Sequence, residues 1–437
     1  MAPLRSRTSI IGTLLVAAVL VTACGIDEDK VAGGSNQVDD IPTASTQPTQ
    51  STIPPLDEND LRNVAADVQD FWDGTMPAIY SQAYDVIPDA RIIAGTEDAE
   101  YPTCDGEQVG YSDVEGNAFA APCPEGITVV WDDEQLIPQL SERFGAIAPA
   151  IVLAHEWGHV AQFEVGVDEA TVIMEQQADC FAGAWLADLI DDPGGLSDLV
   201  EANPLDTSLA SIIEFRDQPG SSIDDPNAHG TGFDRVRALQ EGFERGAEHC
   251  SGYPDSPPSL IDLQFTTEDD VLSGGNLDLD ELIPLVVQDL NDFYIEHVDG
   301  FQGSSEEAVL ASDDAVAQLT DLHDRVGDNG AGVVLALVWA RFAQQQTGSD
   351  EGRDAFGQLL QQACMTGGWF LEVLGRTPDS NEGSIVFSPG DIDEAIIGLI
   401  DLGTPEDTAK TTDGGLFELV ASLRQGITEG FDSCGLE

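Results

Sequence analysis

Lysine is almost missing from this sequence: Lys30 and Lys410 are the whole complement, and lysine and arginine together number 16 against 81 acidic residues, a formal charge of -65. A surface of that sign repels phosphate, which excludes nucleic-acid binding and electrostatic attachment to an anionic membrane. Long apolar runs are also missing. The most apolar stretch, Ile10 to Val21, falls short of the roughly 20 residues needed to span a bilayer as a helix. Histidine is scarce too, with six in 437 residues, so any two of them at a regular spacing carry information. The length itself exceeds what one ordinary core fills and favours two domains.

The apolar stretch follows Arg5 and Arg7 and ends in Val21-Thr22-Ala23-Cys24. It resembles a bacterial lipoprotein signal, which implies cleavage before Cys24, lipidation of that cysteine, and a protein held by acyl chains at the extracytoplasmic face of the cell membrane. Residues 25–55 are rich in Gly, Ser, Thr, Gln, Pro and Asp, too polar to offset the entropy of ordering, and are expected to form a disordered tether.

Six cysteines remain, for which sequence alone allows 15 pairings. An internal repeat narrows them. Cys180-Phe181-Ala182-Gly183-Ala184-Trp185-Leu186 recurs as Cys364-Met365-Thr366-Gly367-Gly368-Trp369-Phe370, 184 residues on, and the same offset carries Phe233, Val236, Leu239, Gly242, Gly246 and Cys250 onto Phe417, Val420, Leu423, Gly426, Gly430 and Cys434. Upstream, Leu153, Ala154, Trp157, Ala161 and Gln162 match Leu335, Ala336, Trp339, Ala343 and Gln344 at 182, and Asp70-Phe71-Trp72 resembles Asp292-Phe293-Tyr294 at 222. The second copy thus lacks about 40 residues, the stretch that holds Cys104 and Cys123. The expected disulfides are Cys180–Cys250, Cys364–Cys434 and Cys104–Cys123. One domain is expected over 56–255, a Pro-, Ser- and Gly-rich linker over 256–276, and a shortened copy over 277–437. The fold class is mainly α with a small β element (α+β): Ala146 to Val165, Asp168 to Leu189 and Gly232 to Arg245 show helical periodicity, whereas Ile127 to Trp131 reads as a strand.

Chemistry concentrates at His155-Glu156-Trp157-Gly158-His159. Four residues apart on a helix, the two imidazoles project from one face and can grip one ion, with Glu156 beside them to serve as general base. A hydrolytic zinc takes a third protein ligand and one open position. Glu175 is the expected ligand, and Asp179, one turn later, is placed to accept the free ring N–H of His155. One Zn2+ per chain is expected.

The His155–His159 motif, the stretch Glu175-Gln176-Gln177-Ala178-Asp179-Cys180-Phe181-Ala182-Gly183, and Ala228-His229-Gly230-Thr231 leading to Arg235 together resemble the bacterial putative neutral zinc metallopeptidase family, of the gluzincin type, over about residues 56–255. Cys123-Pro124 ahead of the strand fits as well. Two departures, Ala121-Pro122 in place of an aromatic pair and His229-Gly230-Thr231-Gly232 in place of His-Gly-Ser-Ser, bear on the substrate cleft more than on the metal. The resemblance implies a zincin-like domain that cleaves peptide or protein substrates, Glu156 moving the proton. His229, in a Gly-flanked loop, is the candidate donor to the oxyanion, and Gly126 to Trp131 the candidate edge for an extended substrate. At the aligned places the second copy has Leu337, Val338, Arg341, Leu359 and Ala363, none able to ligate zinc, which makes it a mostly helical pseudo-peptidase repeat. That repeat could buttress the catalytic domain, shape the cleft or recruit a protein partner. The competing readings are a non-catalytic binding or scaffold lipoprotein with a structural zinc site, and a zinc amidase acting on cell-wall peptides. His297 and His323 read as exposed helix residues without a role.

Overall fold

The computed structural model describes residues 24–25, 56–104, 107–200, 203–306, 310, 313–376, 384–402 and 415–435. The expected signal segment and tether lie outside these, apart from the backbone of Cys24 and Gly25. The chain is mostly helical with one small mixed sheet. Strands β1 (Cys24–Gly25), β2 (Ile92–Gly95), β5 (Asn117–Cys123) and β6 (Gly126–Asp132) form it in the order β1-β5-β6-β2, with β2 parallel to β6 and the other pairs antiparallel. A separate ribbon pairs β3 (Thr103–Cys104) with β4 (Glu107–Gln108).

This arrangement corrects one expectation. Gly126 to Trp131 is not an edge: it lies between β5 and β2, and Thr128 through Trp131 are buried. A short, mostly apolar run, broken only by Thr128, suits a strand covered on both faces. The strand beside it, β5, pairs with both β6 and the two-residue β1, and its Ala- and Pro-rich sequence carries little β propensity, which hid it from the sequence pattern.

In the first half the helices are α1 (Glu58–Tyr80), α2 (Leu136–Phe144), α3 (Ile147–Val165), α4 (Thr171–Asp191), α5 (Ser197–Val200), α6 (Pro204–Ile212), α7 (Gly232–Arg245) and α8 (Ala247–Ser251). Every residue of α3 from Ile147 to Gln162 is buried. A helix apolar around its whole circumference has no solvent face to turn outward, so it becomes the centre of the core. On it pack α1, α4 and the sheet. The stretch expected as a linker is anchored: Arg237 Nη1 donates to Ser259 O, Ile261 N donates to Asp234, and α9 (Glu268–Ser273) lies within it.

The second half contains α10 (Leu279–His297), α11 (Asp313–Arg325), α12 (Asp328–Thr347), α13 (Ala355–Leu374), α14 (Asp391–Leu402) and α15 (Gly415–Glu429). Bonds join Cys104 to Cys123, Cys180 to Cys250 and Cys364 to Cys434. Hydrogen bonds recur between the halves at the offsets of the sequence repeat. Trp185 Nε1 donates to Asp67 and Trp369 Nε1 to Asp289. Gln177 Nε2 donates to Cys250 O and Gln361 Nε2 to Cys434 O. Helices α4 and α7 cross so closely that a Cβ on Gly183 would strike Leu239 O, and α13 crosses α15 so that a Cβ on Gly367 would strike Leu423 O. His297 is exposed, as expected, with its ring stacked on Phe293, whereas His323 is half-buried and bonded to Leu277 O.

Candidate metal centre

Helix α3 supplies His155, Glu156 and His159, and α4 supplies Glu175 and Asp179; all five side chains are buried. The two helices approach closely at Gly158, where a Cβ would lie 2.8 Å from Ala178 Cα. Any larger residue there would push Glu175 away from the imidazoles.

The orientation of each ring follows from its neighbours. His155 Nδ1 lies 2.7 Å from Asp179 Oδ1. Burial alone would raise Asp179, but Arg235 and His155 hold it below the usual carboxylate range, so it accepts and Nδ1 carries the proton. His159 Nδ1 faces Gln162 Oε1 at 2.8 Å. Gln162 Nε2 is committed to Met174 O at 2.7 Å and Gln177 Oε1 at 3.0 Å, which leaves only the Gln162 oxygen for the ring. Gln177 in turn is oriented by Cys250 O, so a chain of amides runs from the disulfide to His159.

With both Nδ1 atoms donating, both Nε2 atoms present lone pairs, and they lie 3.1 Å apart. Glu175 Oε2 and Oε1 stand 3.2 Å from His155 Nε2 and 3.3 Å from His159 Nε2. Both Glu175 oxygens are buried without a hydrogen-bond partner. Two lone pairs and an anionic carboxylate converging in a dry interior repel one another, and a cation between them is what removes the penalty. The residues fit a zinc ion: two imidazoles and a carboxylate, all donor atoms within 4.8 Å of one another, with no fourth donor in the cluster among the described residues.

Glu156 is held from the sheet, its Oε2 accepting from Ala120 N at 2.9 Å. Arg235 is wholly buried and grips Asp179 with Nε and Nη2, each at 2.8 Å, while Nη1 donates to Phe215 O. The loop carrying His229 is pinned twice. Asp217 Oδ2 accepts from His229 N and Gly230 N, both at 2.8 Å, with Oδ1 at 3.4 Å from His229 Nδ1, and Gln176 Nε2 donates to His229 O. Burial would raise Asp217, but His229 and the Gly230 N–H keep it low.

Sequence reasoning missed Gln162, Gln177, Asp217 and the role of Arg235. Only Gln162, three residues after His159 on one helix, carried a local signal. A second acidic cluster, Asp328, Asp391 and Glu394, differs in kind. Burial and mutual repulsion push Asp391 well up and Glu394 to about 8, so the cluster resists full ionisation.

The family described as putative neutral zinc metallopeptidase matches residues 3–253. Uncharacterized protein YpfJ of Escherichia coli strain K12 is 29% identical over 154 residues, covering 30% of this chain and 53% of its own, and its counterpart in Escherichia coli O6:H1 strain CFT073 matches equally. The chain spans about half the length of these relatives. No solved structure matches.

Proposed function

The chain belongs to the putative neutral zinc metallopeptidase family, and from that premise we propose that it hydrolyses peptide bonds in extracytoplasmic peptides or proteins, with zinc held by His155, His159 and Glu175. The observation that carries this is the convergence of His155 Nε2 and His159 Nε2, 3.1 Å apart, on the buried Glu175 carboxylate at 3.2 and 3.3 Å. When bound, zinc supplies a Lewis acid that polarises a carbonyl and eases the ionisation of water.

The remaining work falls to the chain. Glu156 takes a proton from the attacking water and delivers it to the leaving amine. The Ala120 N–H holds one of its oxygens in place during both transfers. Asp179 and Gln162 keep the two rings in the tautomers that leave Nε2 bare. His229, on the loop pinned by Asp217 and Gln176, donates to the carbonyl oxygen as negative charge develops there. Three donors rather than four, with a carboxylate beside them, weigh against a purely structural zinc.

The zincin-like reading of 56–255, the lipid anchor at Cys24 and the extracytoplasmic face belong to the same proposal. So does the reading of 277–437 as a degenerate repeat. It is supported by the recurrence of tryptophan, glutamine and cysteine contacts at fixed offsets, and by Leu337, Val338, Arg341, Leu359 and Ala363 at the ligand and base positions.

Metal analysis and cleavage of a mixed peptide library, on wild type and Glu156→Gln, test the proposal. One zinc per chain is expected in both, with turnover reduced at least about 100-fold in the variant. Zinc in both and cleavage in neither points to the scaffold; two zinc ions per chain contradict the degenerate repeat.

A further inference from the structure

The two copies exchange helix caps. Asp393, in the first turn of α14, accepts from Gly232 N and Phe233 N at 2.9 Å each, the opening turn of α7. Asp206, in the first turn of α6, accepts from Phe417 N at 2.8 Å, the opening turn of α15. Phe233 and Phe417 are equivalent in the repeat, and each aspartate is the third residue of its helix, counted from Pro204 and Asp391. Each half therefore places a carboxylate on the same positive helix end of the other.

The consequences differ. Two residues beyond Phe233 stands Arg235, which clamps Asp179; the equivalent of Arg235 in the second copy is Leu419. We propose that the second copy is a built-in positioning element for the metal site and that Asp393 is the residue through which it acts. Asp393 holds the first turn of α7, that turn aims Arg235, Arg235 holds Asp179, and Asp179 orients His155. Loss of the cap lets the α7 end shift and loosens one ligand. Loss of the mirror cap at Asp206 frees a helix end that holds no ligand. The proposal rests on the metallopeptidase reading above.

Full-length wild type, Asp393→Ala, Asp393→Asn, Asp206→Ala and Asp206→Asn are compared by zinc affinity, from chelator competition, and by thermal unfolding of the metal-free protein. Both alanine variants are expected to melt lower by similar amounts, while zinc binding weakens about tenfold in Asp393→Ala and less than about twofold in Asp206→Ala. Asp393→Asn, which keeps one acceptor oxygen, should fall between wild type and Asp393→Ala. Equal zinc affinity in Asp393→Ala and Asp206→Ala, whether both unchanged or both weakened, overturns the proposal. If either alanine variant does not fold, the two asparagine variants decide by the same comparison. Wild type that takes up no zinc sinks the metallopeptidase reading and this inference with it; zinc-binding wild type with matched variants sinks this inference alone.

Discussion

To ligate a metal a histidine needs its lone pair at one nitrogen, and for His159, as a proposed ligand, that condition depends on a neutral amide. Gln162 can accept from Nδ1 only because its nitrogen is occupied by Met174 O and Gln177. The same amide chain recurs at the repeat offset: Gln344 Nε2 donates to Gln358 O and Gln361 Oε1, and Gln344 Oε1 accepts from Gln362. Gln162→Leu should therefore weaken zinc binding about 10- to 100-fold, whereas Gln344→Leu should lower stability and leave zinc affinity unchanged. Chelator competition on both variants checks the pair; equal zinc loss in both would show a general loosening. His155, Glu156 and His159 were legible because spacing on one helix is a local property. Gln177 was not, because its partner is a backbone carbonyl 73 residues away, and carbonyls leave no mark in a sequence.

Among the elements, α3 and α4 form the grip, and their separation is set at Gly158 against Ala178. Gly158→Ala should force the helices apart, costing about 1–3 kcal/mol from overpacking and weakening zinc binding together. Denaturant unfolding with and without zinc measures both, and a variant unchanged in either would mean that the contact is relaxed. Ala340 stands 182 residues after Gly158, at the offset of the sequence repeat. Helical periodicity identified α3, α4 and α7 to within a few residues of their ends. The strand expected as an edge proved central, since an apolar run shows burial but not which strands lie beside it.

Across the whole molecule, the halves meet through exchanged caps and through carboxyls that do not ionise freely. Glu394 accepts from Asn329 N and sits with Asp328 and Asp391, near Asp393 and Arg216, while His323 acts on Asp328. Its value rises from the ordinary 4.5 to about 8 in the fold, so its contribution to stability is complete below about 4.5 and is lost as pH rises through about 8. Glu394→Gln should flatten that decline, its stability relative to wild type growing across this window; urea midpoints at several pH values read it, and parallel slopes would contradict it. No helix among the described residues is long and apolar enough to cross a membrane. Sequence alone determined the spacing of His155, Glu156 and His159, the spacing of the cysteines and the offsets at which residues recur, because each depends on residue type and on distance along one chain. Only the tertiary structure decided that Glu175 reaches both imidazoles, which amide fixes His159, and which aspartate caps which helix. Those contacts join separate elements, up to 211 residues apart in the case of Asp206 and Phe417, and only the packing of the cores brings them together.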